Sequence, residues 1–180
     1  MKLLLDHGAD ASGRSAAPPY RDALSLAIMR GNDEGAALLI ERGADIEARD
    51  AAGDGPLGWA ATSGDATIAA ALIKSGAKIN VRAPYSPRRT PLMIAAAWDK
   101  LDVARVLLNS GAHPNVRDDA DKTALHLAAE HGDVELVRLL LEHGADPRAA
   151  DGDGQTPADY ARRHNRKDAL ALLEAAAARR

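Results

Sequence analysis

A glycine followed by alanine, usually with aspartate next, stands at Gly8, Gly43, Gly76, Gly111 and Gly144 of this 180-residue chain, at nearly even intervals. A recurring short motif at such a fixed period means stacked copies of one small unit, each touching only its neighbours. The leucine opening each apolar segment falls at Leu24, Leu57, Leu92 and Leu125, and its distance to the next marker glycine is the same in every unit. Variation is confined to the stretch before that leucine, which is slightly longer after Gly8 and Gly76 than after Gly43 and Gly111. A rigid segment therefore alternates with loops of adjustable length.

Within Thr123 to Asp146 the rigid segment shows two helical periods. Leu125, Ala128 and Ala129 share one face, Gly132 interrupts, and Val134, Val137, Leu140 and Leu141 form a second face. Thr90, Thr123 and Thr156 suit N-caps, two of them with proline at the first helical position. Gly132 and Gly144 suit left-handed helix ends, and Asp99 and Asn165 replace the first of these with side chains that tolerate the same backbone. Composition agrees: 40 alanines and no phenylalanine suit helices packed closely through small residues.

The segments "RTPLMIAAAWDKLDVARVLLNSGAHPNVR" from Arg89 and "DGDGQTPADYARRH" from Asp151 resemble the ankyrin repeat family. The tetratricopeptide alternative lacks its aromatic landmarks here. The resemblance covers nearly the whole chain. It implies an all-α solenoid over 1–180, forming one domain of helix-turn-helix pairs with projecting hairpin loops. Its divisions are a half repeat at 1–13, full repeats at 14–49, 50–82, 83–117 and 118–149, and a C-terminal capping repeat at 150–180. The implied function is a non-catalytic scaffold for protein-protein interaction, binding its partner on the concave face. Two other functions are a regulatory or substrate-docking arm of a larger enzyme and a basic groove for nucleic acid.

Departures from the pattern single out the first full repeat, where Asp22-Ala23 replaces Thr-Pro and Gly35 stands where other units carry Ile68, Val103 and Leu136. A poor cap and a helical glycine make this end the expected weak point. Met1, Leu3 and Leu4 align with second-helix residues, so the chain opens inside a unit, as a fragment, a late start site or a short helix folding on the next repeat would. Its uncovered face could stack on another molecule.

Chemistry finds little support. No two of the six histidines have the i, i+4 spacing that a helical zinc pair requires, and there is no cysteine. His126 occupies the family's Thr-Pro-Leu-His position, which implies a structural hydrogen bond. The "DGDG" of Asp151 to Gly154 lacks the glycine and glutamate of a calcium loop and reads as a hairpin tip. Neither a catalytic site nor a cofactor or metal is expected. The net charge of -3 argues against nucleic acid, despite the basic cluster Arg162, Arg163, Arg166 and Lys167. The short apolar start and the lack of a membrane-length run point to a cytoplasmic protein without membrane attachment.

The five aromatics divide by alignment. Trp59 and Tyr160 take the inward leucine slot, held elsewhere by Leu26, Ile94 and Leu127, and are expected in the core. Trp98 follows the buried alanine pair, while Tyr20 and Tyr85 fall in the two lengthened loops. These three are expected on the binding face, with a hot spot at Tyr85, Arg88, Arg89 and Trp98, widened by Arg30, Lys122 and His131. Aromatic and arginine side chains dominate binding energy most often, and this set suits a partner with an acidic and apolar surface.

Overall fold

Capping chemistry sets where each helix begins and ends. A computed structural model describes residues 11–13, 22–51, 53–83 and 87–179, which form ten helices and no strand. They fall into five pairs: α1 (Ala23–Met29) with α2 (Asp33–Glu41), α3 (Pro56–Ser63) with α4 (Ala66–Lys74), α5 (Pro91–Ala97) with α6 (Leu101–Asn109), α7 (Ala124–His131) with α8 (Val134–Glu142), and α9 (Pro157–Arg163) with α10 (Lys167–Ala178). Thr90, Thr123 and Thr156 are N-caps, and Pro56, Pro91 and Pro157 open their helices. Gly64 and Gly132 close α3 and α7 at φ 88° and 86°, while Asp99 and Asn165 take φ 55° and 56° after α5 and α9. The expectation that an aspartate and an asparagine substitute for glycine there is met.

Helices of two to three turns are marginal alone, so each is held by neighbours. The first helices pack in sequence, α1 on α3, α3 on α5, α5 on α7 and α7 on α9. The second helices do the same from α2 to α10, and each pair also packs internally. Close approach of the first helices requires small side chains, supplied by the buried Ala60, Ala61, Ala95, Ala96, Ala128 and Ala129. One leucine per second helix fills the space between the layers: Leu39, Leu72, Leu107, Leu140 and Leu173, each at most 2% exposed.

Two backbone-satisfying ladders tie the loops. Asn80 donates to the Gly111 carbonyl at 3.2 Å and accepts the His113 N–H at 2.8 Å, and Asn115 does the same for Gly144 and Asp146 at 2.9 and 2.8 Å. Ser12 and Glu47 hold the equivalent amides of Asp45 and Lys78. At the hairpin tips, the Asp118 carboxylate accepts the Ala120 and Lys122 amides, and that of Asp151 accepts those of Asp153 and Gln155. Adjacent tips join through Asp119 N–H to Pro87 O at 3.2 Å and Gly152 N–H to Ala120 O at 2.9 Å.

The first helix pair corrects one expectation. Asp22 caps α1 well: its carboxylate accepts both the Ser25 N–H and the Ser25 hydroxyl at 2.8 Å. Gly35 is the third residue of α2, not its middle, and its N–H donates to Asn32 Oδ1 at 2.9 Å. A Cβ on Gly35 would come within 2.7 to 2.8 Å of the Asn32 side chain, so glycine is what this tight cap accommodates. What the unit lacks is apolar bulk, since Ile68, Val103 and Leu136 at this position are at most 1% exposed.

Candidate partner-binding surface

Because the first helices lie side by side, residues at equivalent ends form rows. The C-terminal row carries Arg30, Ser63, Trp98, His131 and His164, all exposed. Trp98 caps α5, its N–H bonded to Ile94 O at 3.0 Å, and its side chain is 61% exposed. Trp98 and Met29, the latter 37% exposed beside Arg30, are the large exposed apolar side chains among the described residues. Tyr160 is buried, as expected of a core aromatic, whereas Trp59 is only half-buried and packs against the edge of the core. Leu26 and Ile94 are half-buried in the same slot, so this position lies at the rim of the first-helix layer in three of the five units.

The hairpin-tip row lies at the other end of the same helices. Arg88 is exposed at φ 51°, and its carbonyl accepts Arg82 Nε at 2.9 Å. Arg89 is half-buried, its Nε 3.5 Å from a carboxylate oxygen of the buried Asp118. Helix α5, about two turns long, separates Arg89 from Trp98 by about 10 Å along its axis. Arg88 and Arg89 thus stand at one end of the surface, and Trp98, Arg30 and His131 along the other. Tyr20 and Tyr85 lie outside the described residues, as do Met1, Leu3 and Leu4.

Lys122 is turned inward to the chain. Its Nζ lies 4.8 Å over the Tyr160 ring centroid, and hydrogen bonding to Tyr160 raises its pKa. Tyr160 in turn donates to Asp151 Oδ2 at 2.7 Å and meets the His126 ring edge-on at 5.5 Å. Burial pushes Tyr160 up. Burial also opposes the Asp151 charge, but hydrogen bonds from Tyr160, Gln155 and Asp153 outweigh it and lower the carboxyl. His126 Nδ1 accepts the Thr123 N–H at 3.1 Å, which places the ring proton on Nε2 for donation to Gln155 O at 3.1 Å. Desolvation lowers its pKa. Fully buried and bonded at both nitrogens, His126 holds two loops together, the structural role implied for it.

The basic cluster at the C-terminal end is largely occupied. Arg162 bridges Asp159 at 2.6 Å and Glu174 at 2.9 Å, Arg163 bonds Gln155 Oε1 at 2.8 Å, and Arg166 bonds Glu130 O at 3.1 Å. Beside the Trp98 row lie two carboxylate pairs that the linear sequence does not reveal, since the members of each come from successive units. A hydrogen bond shared with Asp65 and that neighbour's like charge raise Asp33, whereas burial, then the same two effects from Asp133, raise Asp99. No group of three metal-ligating side chains exists among the described residues, and no described helix is long and apolar enough to cross a membrane.

Successive pairs with the Thr-Pro start, the left-handed turn and the Gly-Ala loop match a family model of ankyrin repeats in three overlapping copies, over residues 1–83, 24–118 and 92–178. The chain belongs to the ankyrin repeat family. Similar proteins include ankyrin repeat domain-containing protein 63 of Homo sapiens, 42% identical over 99 residues, covering 54% of this chain and 26% of that protein. A putative ankyrin repeat-containing protein of Treponema pallidum is 36% identical over 119 residues, covering 66% and 39%. The E3 ubiquitin-protein ligase KEG of Arabidopsis thaliana is 33% identical over 106 residues, covering 58% of this chain but 6% of its own. The aligned stretch is well under half of each of these relatives. Ankyrin repeats generally mediate protein-protein interaction, and this ankyrin array presents the all-helical repeat surface on which such interactions are built.

Proposed function

We propose that this ankyrin array is a non-catalytic scaffold that binds a protein partner across the exposed ends of its first helices and its hairpin tips, on the concave face. The observation that carries this reading is Trp98, 61% exposed and, with Met29, one of the two large apolar side chains left exposed among the described residues. A flat indole offers much contact area at little entropic cost, and exposed arginines nearby supply forked donors. Arg30 and His131 extend the Trp98 row, while Arg88 and the half-buried Arg89 mark the tip end, with Tyr20 and Tyr85 assigned from the sequence to the loops beside them. Lys122, engaged with Tyr160, contributes to the surface mainly by holding that tip in place. The partner is read as acidic and apolar.

A photo-crosslinking residue at position 98, compared with one at Arg105 on the exposed side of α6, tests the placement in the native cell. Protein adducts at 98 and none at 105 support it, and the reverse pattern refutes it. Trp98→Ala separates binding from packing, because a loss of stability with unchanged partner recovery would make Trp98 a cover for the alanine-rich helices instead.

A second reading, a docking arm of a larger enzyme, is favoured by the relative named as an E3 ubiquitin-protein ligase, which is far longer than the aligned stretch. The same surface would then present a substrate to a catalytic domain. A basic groove for nucleic acid is disfavoured by the acidic partners of Arg82, Arg89 and Arg162.

A further inference from the structure

Every described first helix except one starts with a side-chain cap and a second side chain three residues on. These are Asp22 with Ser25, Thr90 with Met93, Thr123 with His126, and Thr156 with Asp159. Ser25, Met93 and His126 are at most 1% exposed, so the fourth member of the start is buried in each of the other units that another unit follows. Helix α3 has Gly55 and Gly58 at both positions, with no side-chain cap on its first turn. A cleft of about 40 Å³ lies between α3 and α5 beside these glycines. About 10 to 15 Å³ of space is enough for one water, so the cleft is larger than a single water site.

Its walls define the chemistry. Gly58, Leu57 and Ile94 give an apolar floor, and Arg49, Lys78 and Arg89 line it against Glu47 and Asp54. One Glu47 oxygen accepts the Lys78 N–H at 2.8 Å. Arg49 donates one N–H to Gly53 O at 2.7 Å, and Arg89 holds Asp118 only at 3.5 Å. A guanidinium has five N–H donors, and a carboxylate is a planar three-atom acceptor that matches its fork. We infer that this cleft is an anchor slot for the carboxylate of an aspartate or glutamate side chain presented by a protein segment crossing the hairpin tips. The inference rests on the partner-binding reading above and adds the chemistry of one contact. Open space at Gly58 is essential, because a side chain there would occupy the slot.

The full chain, labelled with nitrogen-15, is titrated with N-acetyl-aspartate N-methylamide and separately with its asparagine analogue, following the amides of Gly53, Gly55 and Gly58. Saturable shifts at these glycines are expected with the aspartate probe, and about tenfold weaker response with the asparagine probe, as for loss of a charge-assisted contact. Gly58→Met should abolish the response while keeping or raising the melting temperature, since a Cβ at Gly58 meets only Ile94 and Asp54 at 3.7 and 4.0 Å. Arg49→Gln, which leaves the space open but removes a guanidinium from the wall, serves as a second variant and should lose most of the response to the aspartate probe. Equal response to both probes, no shift at these glycines, or an unchanged response in a folded Gly58→Met overturns the slot. None of those outcomes touches the crosslinking test at Trp98, so the two readings fail separately.

Discussion

Arg166 lays its aliphatic stem against Gly132 of the preceding unit. A Cβ at Gly132 would lie 2.5 Å from Arg166 Cδ and 2.7 Å from Cγ, and the same guanidinium donates to Glu130 O at 3.1 Å. Lys100 covers Gly64 in the same manner, its Cδ 2.9 Å from the Cβ position. Glycine therefore serves twice here, by adopting a positive φ and by leaving room for a basic residue that sheathes the turn.

Gly132→Ala should destabilise the array by about 1 to 2 kcal/mol, from left-handed backbone strain plus displacement of Arg166. Gly144→Ala, at φ 84° with nothing within 4 Å of the new Cβ, isolates the strain alone. Urea unfolding should show the cost at Gly132 falling part of the way to that at Gly144 once Arg166→Ala is also present, since the Arg166 Cβ at 2.9 Å remains. An unchanged cost in the double variant would mean the Arg166 contact carries no energy.

Acid should loosen the His126 clasp. Desolvation lowers the folded pKa below the ordinary value of 6.5, so the unfolded chain binds the proton more readily. This contribution is complete above 6.5 and declines as pH falls through that value toward the folded pKa. His126→Ala, which leaves the Thr123 N–H without its partner and removes one of two donors to the Gln155 carbonyl, should cost about 1 to 3 kcal/mol at neutral pH. Thermal melts from neutral to mildly acidic pH should show a shallower pH dependence in that variant than in the parent.

Asp99→Asn should stabilise the protein modestly, by about 0.5 kcal/mol or less, since it removes a like charge from Asp133 at a partly exposed site. Asparagine tolerates the same backbone, as Asn165 shows at φ 56°. A raised folded pKa means that acid relieves the parent's repulsion, so the gain should shrink as pH falls through the range where Asp99 takes up its proton. A gain that stays constant from neutral pH into the carboxylate range would contradict this account.

Hydrogen exchange should be faster over residues 22–40 than over 125–145. Asp22 and Asn32 cap their helices soundly, so the difference is argued from Gly35, which contributes no apolar side chain where Val103 and Leu136 are fully buried. In a nearest-neighbour array, a unit with less interface opens first. Equal protection in the two segments would show that the packing deficit at Gly35 does not limit this array.

The architecture was legible in the sequence because its signals are local. The constant interval from Leu92 to Gly111, the Thr90-Pro91 start and the left-handed substitutes Asp99 and Asn165 each depend on a few neighbouring residues, and each appears in the fold as read. Tyr160 was legible for the same reason, since its slot repeats. Contacts between successive units were not legible: Arg166 on Gly132, Asn115 between Gly144 and Asp146, and the Asp99 and Asp133 pair arise only when units stack. Stacking also decided which candidate side chains are spent within the chain, turning Lys122 onto Tyr160 and Arg89 toward Asp118, while leaving Trp98 and Arg88 exposed. Sequence by itself determined the repeating unit through local backbone preference. Tertiary structure alone decided the surface, because side-chain pairing and the Gly58 cleft are properties of two units in contact, with no counterpart in either one alone.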